Sequence, residues 1–155
     1  TKLEFIGHDT YLTWTKETEN AGDFRVSFAS STIVRVNRQE YASSAEIDLL
    51  EAFIYEPRSQ QNLTVSWSRE DHALTLFADR LGHMNAYNGM VTDPHITYNM
   101  SYSYDYSPDI DLYLSVRNLT DVMPQKDGGF GYPYYYQGVY SVFGRYASAG
   151  FNFRF

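Results

Sequence analysis

Polar and apolar residues alternate with period two along most of the chain. Read backwards from residue 155, Phe155, Phe153, Phe151, Ala149 and Ala147 fall on one side, and Arg154, Asn152, Gly150, Ser148 and Tyr146 on the other. A period of two is the pattern of a β-strand, because successive side chains point to opposite faces of the pleat. Ile96 to Tyr106 is the clearest run, with Ile96, Tyr98, Met100, Tyr102, Tyr104 and Tyr106 against Thr97, Asn99, Ser101, Ser103 and Asp105. Asp111 to Asn118 sets Leu112, Leu114 and Val116 against Tyr113, Ser115 and Arg117. Asn62 to Arg69 sets Leu63, Val65 and Trp67 against Thr64, Ser66 and Ser68, and Ala73 to Arg80 sets Leu74, Leu76 and Ala78 against Thr75, Phe77 and Asp79. Phe24 to Asn37 puts Phe24, Val26, Phe28, Val34 and Val36 on one side. Leu3 to Thr15 is rougher, with Leu12 and Trp14 as its best apolar pair. The pattern predicts seven strands and an all-β chain.

The connections alternate in length. Short turns are expected at Glu17–Gly22, at Glu70-Asp71-His72 and at Ser107-Pro108-Asp109, where the residues have turn chemistry. Long connections are expected at Arg38–Gln61, Leu81–Pro94 and Leu119–Phe143. In an antiparallel meander this order puts every short turn at one end of the sheet and every long loop at the other. The run Glu46 to Tyr55 reads either as a further strand or as part of a long loop, and the loop is the expectation.

Composition narrows the environment. The formal charge of −7 argues against nucleic acid, whose phosphates need Lys and Arg, and against docking on an anionic lipid surface. The absence of cysteine excludes a disulfide scaffold and a zinc-thiolate site. No stretch approaches the roughly 20 apolar residues of a transmembrane helix. No leader pattern is visible, so any signal peptide was removed or never lay on this segment. Aromatic residues make up 17% of the chain, with 15 Tyr, at a mean hydropathy of −0.45. Rings spread among polar residues fit a transmembrane β-barrel, whose lipid-facing apolar residues alternate with a polar lumen and whose interfaces carry aromatic girdles. The period-two runs are near the roughly 9–11 residues that a tilted strand needs to cross a bilayer. A soluble antiparallel sandwich would show the same alternation.

The C-terminal third resembles the end of the barrel of TonB-dependent outer-membrane receptors. The likeness lies in the strand Leu112–Asp121, in the tetrapeptide Asn118-Leu119-Thr120-Asp121, in Gly144-Arg145 and in a last strand closing on Phe155. Thr120 stands where the family has an aromatic residue. Glu56-Pro57-Arg58, Asn62-Leu63 and Trp67 resemble an earlier step of such barrels more loosely. The resemblance implies an antiparallel transmembrane β-barrel meander, the C-terminal part of a barrel of about 22 strands. The plug and the TonB-contacting segment are not visible, so residues 1–155 are expected to be a fragment of a longer receptor. Seven strands cannot close a barrel alone, because free edges leave backbone groups that lipid cannot satisfy. An autonomous eight-stranded barrel, with the 46–55 run as its extra strand, is the alternative.

By the same resemblance the chain is an importer rather than an enzyme, taking up a ferric siderophore, cobalamin, haem or an oligosaccharide. Its implied partners are the rest of the receptor, the TonB complex, the barrel-assembly machinery, and outer-membrane lipid and lipopolysaccharide. Phe151, Phe153 and Phe155 form the barrel-closing strand and face lipid; Ser148, Asn152 and Arg154 face the lumen. Arg25, Arg35, Arg117, Arg154, Asp79 and Asp105 are expected on the lumen side, pairing with each other or with the plug.

No cofactor and no catalytic arrangement emerges from the residues. His83, Asp93 and His95 flank one loop, but their spacing is not that of a metal site. The three Asn-x-Ser/Thr sequons at Asn62, Asn99 and Asn118 fall in or at the ends of expected strands and are chance matches. The loop 126–143 is the most informative stretch. Phe130, Tyr132, Tyr134, Tyr135, Tyr136 and Tyr140 supply rings among Gly128, Gly129 and Gly131. On an outward loop such rings stack on sugars or on a flat chelate; in an interfacial girdle they pack on neighbouring loops. Both readings fit the residues.

Overall fold

The computed structural model describes residues 1–50, 52 and 56–154. Its strands are β1 (Lys2–Lys16), β2 (Asp23–Gln39), β3 (Ile47–Asp48), β4 (Ser59–Arg69), β5 (His72–Leu81), β6 (His95–Ser107), β7 (Ile110–Arg117) and β8 (Tyr146–Phe153). All eight belong to one antiparallel sheet in the order β1-β2-β4-β5-β6-β7-β8, with the two-residue β3 paired to β2 beside this path. Among the described residues there is no α-helix; a short 3-10 turn occupies Tyr87–Gly89. Each of the seven expected strands is present, its ends shifted by up to three residues. Among the described residues of the 46–55 run, Ile47 and Asp48 form the strand pairs, with Arg38 and Asn37. Glu51 and residues 53–55 of that run, and Phe155 of the terminal strand, lie outside the described residues.

Every step along the main path joins long strands that follow each other in sequence, so the sheet is a meander with the two-residue β3 beside it. The turns 17–22, 70–71 and 108–109 lie at one end, and the connections 40–58, 82–94 and 118–145 at the other. Glu70, at φ 52°, supplies the left-handed backbone that a two-residue hairpin needs at its first central position. Strand β1 pairs only with β2, and β8 only with β7. Both outer edges of the described sheet are therefore open.

The register turns seven separate alternations into one two-faced sheet. Residues directly opposite each other in antiparallel strands share a face. One row across all seven long strands reads Trp14, Val26, Val65, Leu76, Met100, Val116 and Ala147. The adjacent row, one residue away and so on the other face, reads Thr15, Arg25, Ser66, Thr75, Ser101, Ser115 and Ser148. Phe151 and Phe153 sit on the apolar face, opposite Leu112 and Ile110. Gly150 lies on the polar face opposite Tyr113, whose ring crosses it so closely that a Cβ there would collide with the phenol.

The N-terminal hairpin departs from simple alternation. Gly7 pairs with Ile33 and Ile6 with Arg35, which leaves Val34 as a bulged extra residue. An extra residue reverses the phase of everything beyond it. Val36 consequently pairs with Phe5 and lies on the face opposite Val26 and Phe28, where the sequence pattern had grouped it with them. Arg35 likewise leaves the polar face. It shares the Ile6 side and lies 4.0 Å from Glu4.

Burial is distributed unusually. The apolar face of the sheet is uncovered: Leu12 is 61% exposed, Phe151 70% exposed, and Trp14, Leu76 and Leu112 also stay open. The well-buried side chains lie instead in the long connections and at the β2 tip. Met84, Ala86 and Thr92 belong to the 82–94 loop, Asn118, Asp127, Tyr135 and Tyr140 to the 118–145 loop, and Val36 to β2. A contiguous apolar surface beyond a few hundred Å² is a surface built to meet something apolar.

Candidate functional site: the last loop and the cleft beneath it

The loops 82–94 and 118–145 fold onto each other at the long-loop end. Met84, Tyr135 and Tyr140 form their small core, with Leu81 and Val139 packed against it. Backbone and hydroxyl bonds fasten it: the Thr92 N–H donates to the Met84 carbonyl at 2.9 Å, and the Met84 N–H to the Thr92 hydroxyl at 3.1 Å. The Asp93 N–H donates to the Gln125 side-chain oxygen at 2.7 Å, tying one loop to the other. Tyr140 presents its ring edge-on to His95 at 5.2 Å. Burial holds the Tyr140 phenol above its ordinary pKa of 10.0, opposed in part by its hydrogen bond with Thr92. Removal from water disfavours the phenolate more than the phenol.

The start of the last loop is fixed to the sheet by a chain of amides. Asp79 on β5 accepts from Asn62 of β4 at 2.6 Å and from Asn99 of β6 at 2.9 Å, one through each carboxylate oxygen. The Asn99 side-chain oxygen in turn accepts the Asn118 backbone N–H at 2.9 Å. The Asn118 side chain then closes on Val122 in both directions, donating to its carbonyl at 2.8 Å and accepting its N–H at 3.0 Å. Asn118 and Asp121 both take positive φ, 51° and 55°. Asn and Asp accept that conformation more readily than other residues with a side chain. The Asn-Leu-Thr-Asp tetrapeptide is thus a turn that bends the chain out of β7.

The expected ligand-contacting rings divide into three groups. Tyr135 and Tyr140, at 4% and 5% exposure, are core residues of the loop and present no free ring face. Phe130 lies between Tyr87 and Tyr136, with ring centres at 5.9 and 5.7 Å. Tyr132, at 88% exposure, meets Tyr134 edge-on, and the Lys126 ammonium sits 5.7 Å over the Tyr134 ring. The surface rings are the half-buried Phe130 and the exposed Tyr132, Tyr134 and Tyr136, and Tyr135 and Tyr140 hold the loop together. Among the described residues no group of His, Asp and Glu is placed to hold a metal ion.

The returning limb of the loop lies over the polar face. Val139, Tyr140, Ser141, Phe143 and Gly144 enclose a cleft of about 890 Å³ against Phe77, Asp79, Thr97, Asn99, Ser115 and Arg117 of β5, β6 and β7. This volume falls in the range of small-molecule sites. In the sequence Asn62, Asn99 and Asn118 stand out as chance sequons and Asp79 as a polar-face carboxylate; their line of hydrogen bonds is set by the register, which brings them side by side.

No protein family, curated protein or solved structure matches the chain.

Proposed function

We propose that this chain is the C-terminal part of the barrel of a TonB-dependent outer-membrane receptor, an importer of a scarce nutrient. The observation that carries the reading is the uncovered apolar face, which runs across all seven long strands and ends on exposed Phe151 and Phe153. In water such a face would cost roughly 25 cal/mol per Å² left exposed. Against acyl chains it needs no further protein cover. The polar face, with Arg25, Ser66, Thr75, Ser101 and Ser115, then lines a wet lumen. Strand lengths of 8 to 17 residues along the main path suit a tilted crossing. The segregation of short turns and long loops matches short periplasmic turns and longer extracellular loops.

Two motifs of the resemblance also acquire a physical reason. Asp121 of the tetrapeptide and the Gly144-Arg145 pair meet, so residues far apart in sequence close one loop. The open edges of β1 and β8 need further strands beside them, which the rest of a larger barrel supplies. Cargo is then bound by outer loops and plug, with energy arriving through TonB.

The test is fractionation and uptake. The intact polypeptide that carries this sequence should sediment with the outer membrane, and loss of TonB should abolish uptake of its nutrient. A soluble polypeptide, or uptake indifferent to TonB, refutes the reading. Refolding residues 1–155 alone in detergent separates the alternative. A heat-modifiable, protease-resistant band means a self-closed small barrel, whereas aggregation means open edges awaiting the remaining strands.

A further inference from the structure

We propose that the cleft beneath the last loop binds a small organic anion with an aromatic or branched apolar portion, its acidic group held by Arg117. The inference comes from an inventory of what the cleft leaves unpaired. Its carboxylate is engaged, since both Asp79 oxygens accept amide protons from Asn62 and Asn99. The Asn99 oxygen is taken by the Asn118 N–H. The groups left over are donors. Among the described residues the Arg117 guanidinium has no ion pair or hydrogen bond, and the hydroxyls of Thr97, Ser101 and Ser115 have no partner either.

These donors are neighbours. Ser101 lies directly opposite Ser115, Arg117 follows Ser115 by two residues on the same face, and Tyr146 lies opposite Arg117. A guanidinium offers five N–H groups in a planar fork that matches a carboxylate or phosphate, and hydroxyls complete the oxygen shell. Apolar surface lines the same cleft from both sides, Phe77 from the sheet and Val139 and Phe143 from the loop. Arg117 is exposed at the cleft. An anion replaces water there and gains a charge-assisted pair that a neutral solute lacks, and a cation would meet it unfavourably. The cleft is made by the polar face and the loop, and on the proposed reading it opens to the lumen beneath the outer loops.

The experiment is a titration of the intact polypeptide that carries this sequence, in detergent, with naphthalene-2-carboxylate and, in parallel, with its neutral amide, followed by saturation-transfer NMR. The carboxylate should bind at least about tenfold more tightly than the amide, as one paired charge requires. Arg117→Gln should erase that preference and Arg117→Lys should keep part of it. Arg154→Gln, at the other end of the sheet, should leave it intact. Strand content by circular dichroism separates loss of the charge from loss of the fold. Equal binding of acid and amide, no binding of either, or an unchanged preference in folded Arg117→Gln overturns the proposal.

Discussion

Asp121 and Arg145 close the last long loop. The Asp121 carboxylate accepts the Arg145 backbone N–H at 2.6 Å, across 24 residues of chain. A Cβ on Gly144 would stand 2.7 Å from that same carboxylate oxygen, so the glycine is what lets the carboxylate approach. The bond is exposed, and its removal is expected to cost about 1 kcal/mol. Asp121→Ala and Gly144→Ala should therefore leave the sheet folded while exposing the 126–143 segment to protease. Unchanged cleavage in both variants would show that the loop is held by its core alone.

Asp79 anchors more than one strand. Replacing it with Ala leaves the Asn62 and Asn99 amides without their shared acceptor and loosens the Asn118 turn. A loss of about 1–2 kcal/mol is expected, chiefly from the part-buried Asn99 amide, since the exposed Asn62 amide rehydrates. Thermal unfolding should show the drop, and Asp79→Ala combined with Asn99→Ala should cost less than the sum of the two. Strict additivity would mean that the chain of amides is not a unit.

The two faces make opposite predictions at adjacent positions. Phe153 pairs with Ile110 on the apolar face and Asn152 with Asp111 on the polar one. Phe153→Arg puts a charge among acyl chains, at roughly 2–4 kcal/mol near the midplane and less towards an interface, and should lower the yield of assembled protein in the membrane fraction. Asn152→Arg should assemble normally, next to a carboxylate. Equal membrane yields would reverse the assignment of the faces.

Tyr140 supplies a pH test. Its phenol is held above 10.0 by burial, so the folded loop binds this proton more tightly than the unfolded chain does. The stability gained is complete below pH 10 and is lost as pH rises from 10 through the higher folded value. Tyrosinate absorbance should show one ring ionising later than the exposed ones, and protease sensitivity of the loop should rise with it. Tyr140→Phe should remove that late step.

Met84 is the fully enclosed apolar side chain at the centre of the loop core. Met84→Ala should cost about 2–5 kcal/mol of loop packing through lost contacts and the cavity left behind. Hydrogen exchange should quicken across residues 82–94 and 134–141 without change in β4 to β7. Exchange rising uniformly through the sheet would mean that loops and strands unfold together.

How much could be read in advance follows from what is local. Period-two alternation is a property of a few consecutive residues, so β5 to β7 to within a residue of each end, the presence of β4 and β8, and the short turns at 70–71 and 108–109 were legible in the chain itself. Charge, ring content and the Asn-Leu-Thr-Asp and Gly-Arg pieces were legible in the same way. Register and burial are not local. The bulge at Val34 reverses the face of Val36 and Arg35 through a single unpaired residue, and no propensity of Val marks it. The split of the loop rings into a buried pair and an exposed set depends on where Met84 of another loop packs. The line from Asn62 through Asp79 and Asn99 to Asn118 exists only because three hairpins align those positions side by side. The sequence by itself determined a two-faced strand pattern, because that needs only neighbouring residues. Which donors were left unpaired in the cleft, and which rings stayed at the surface, only the packing of distant segments decided.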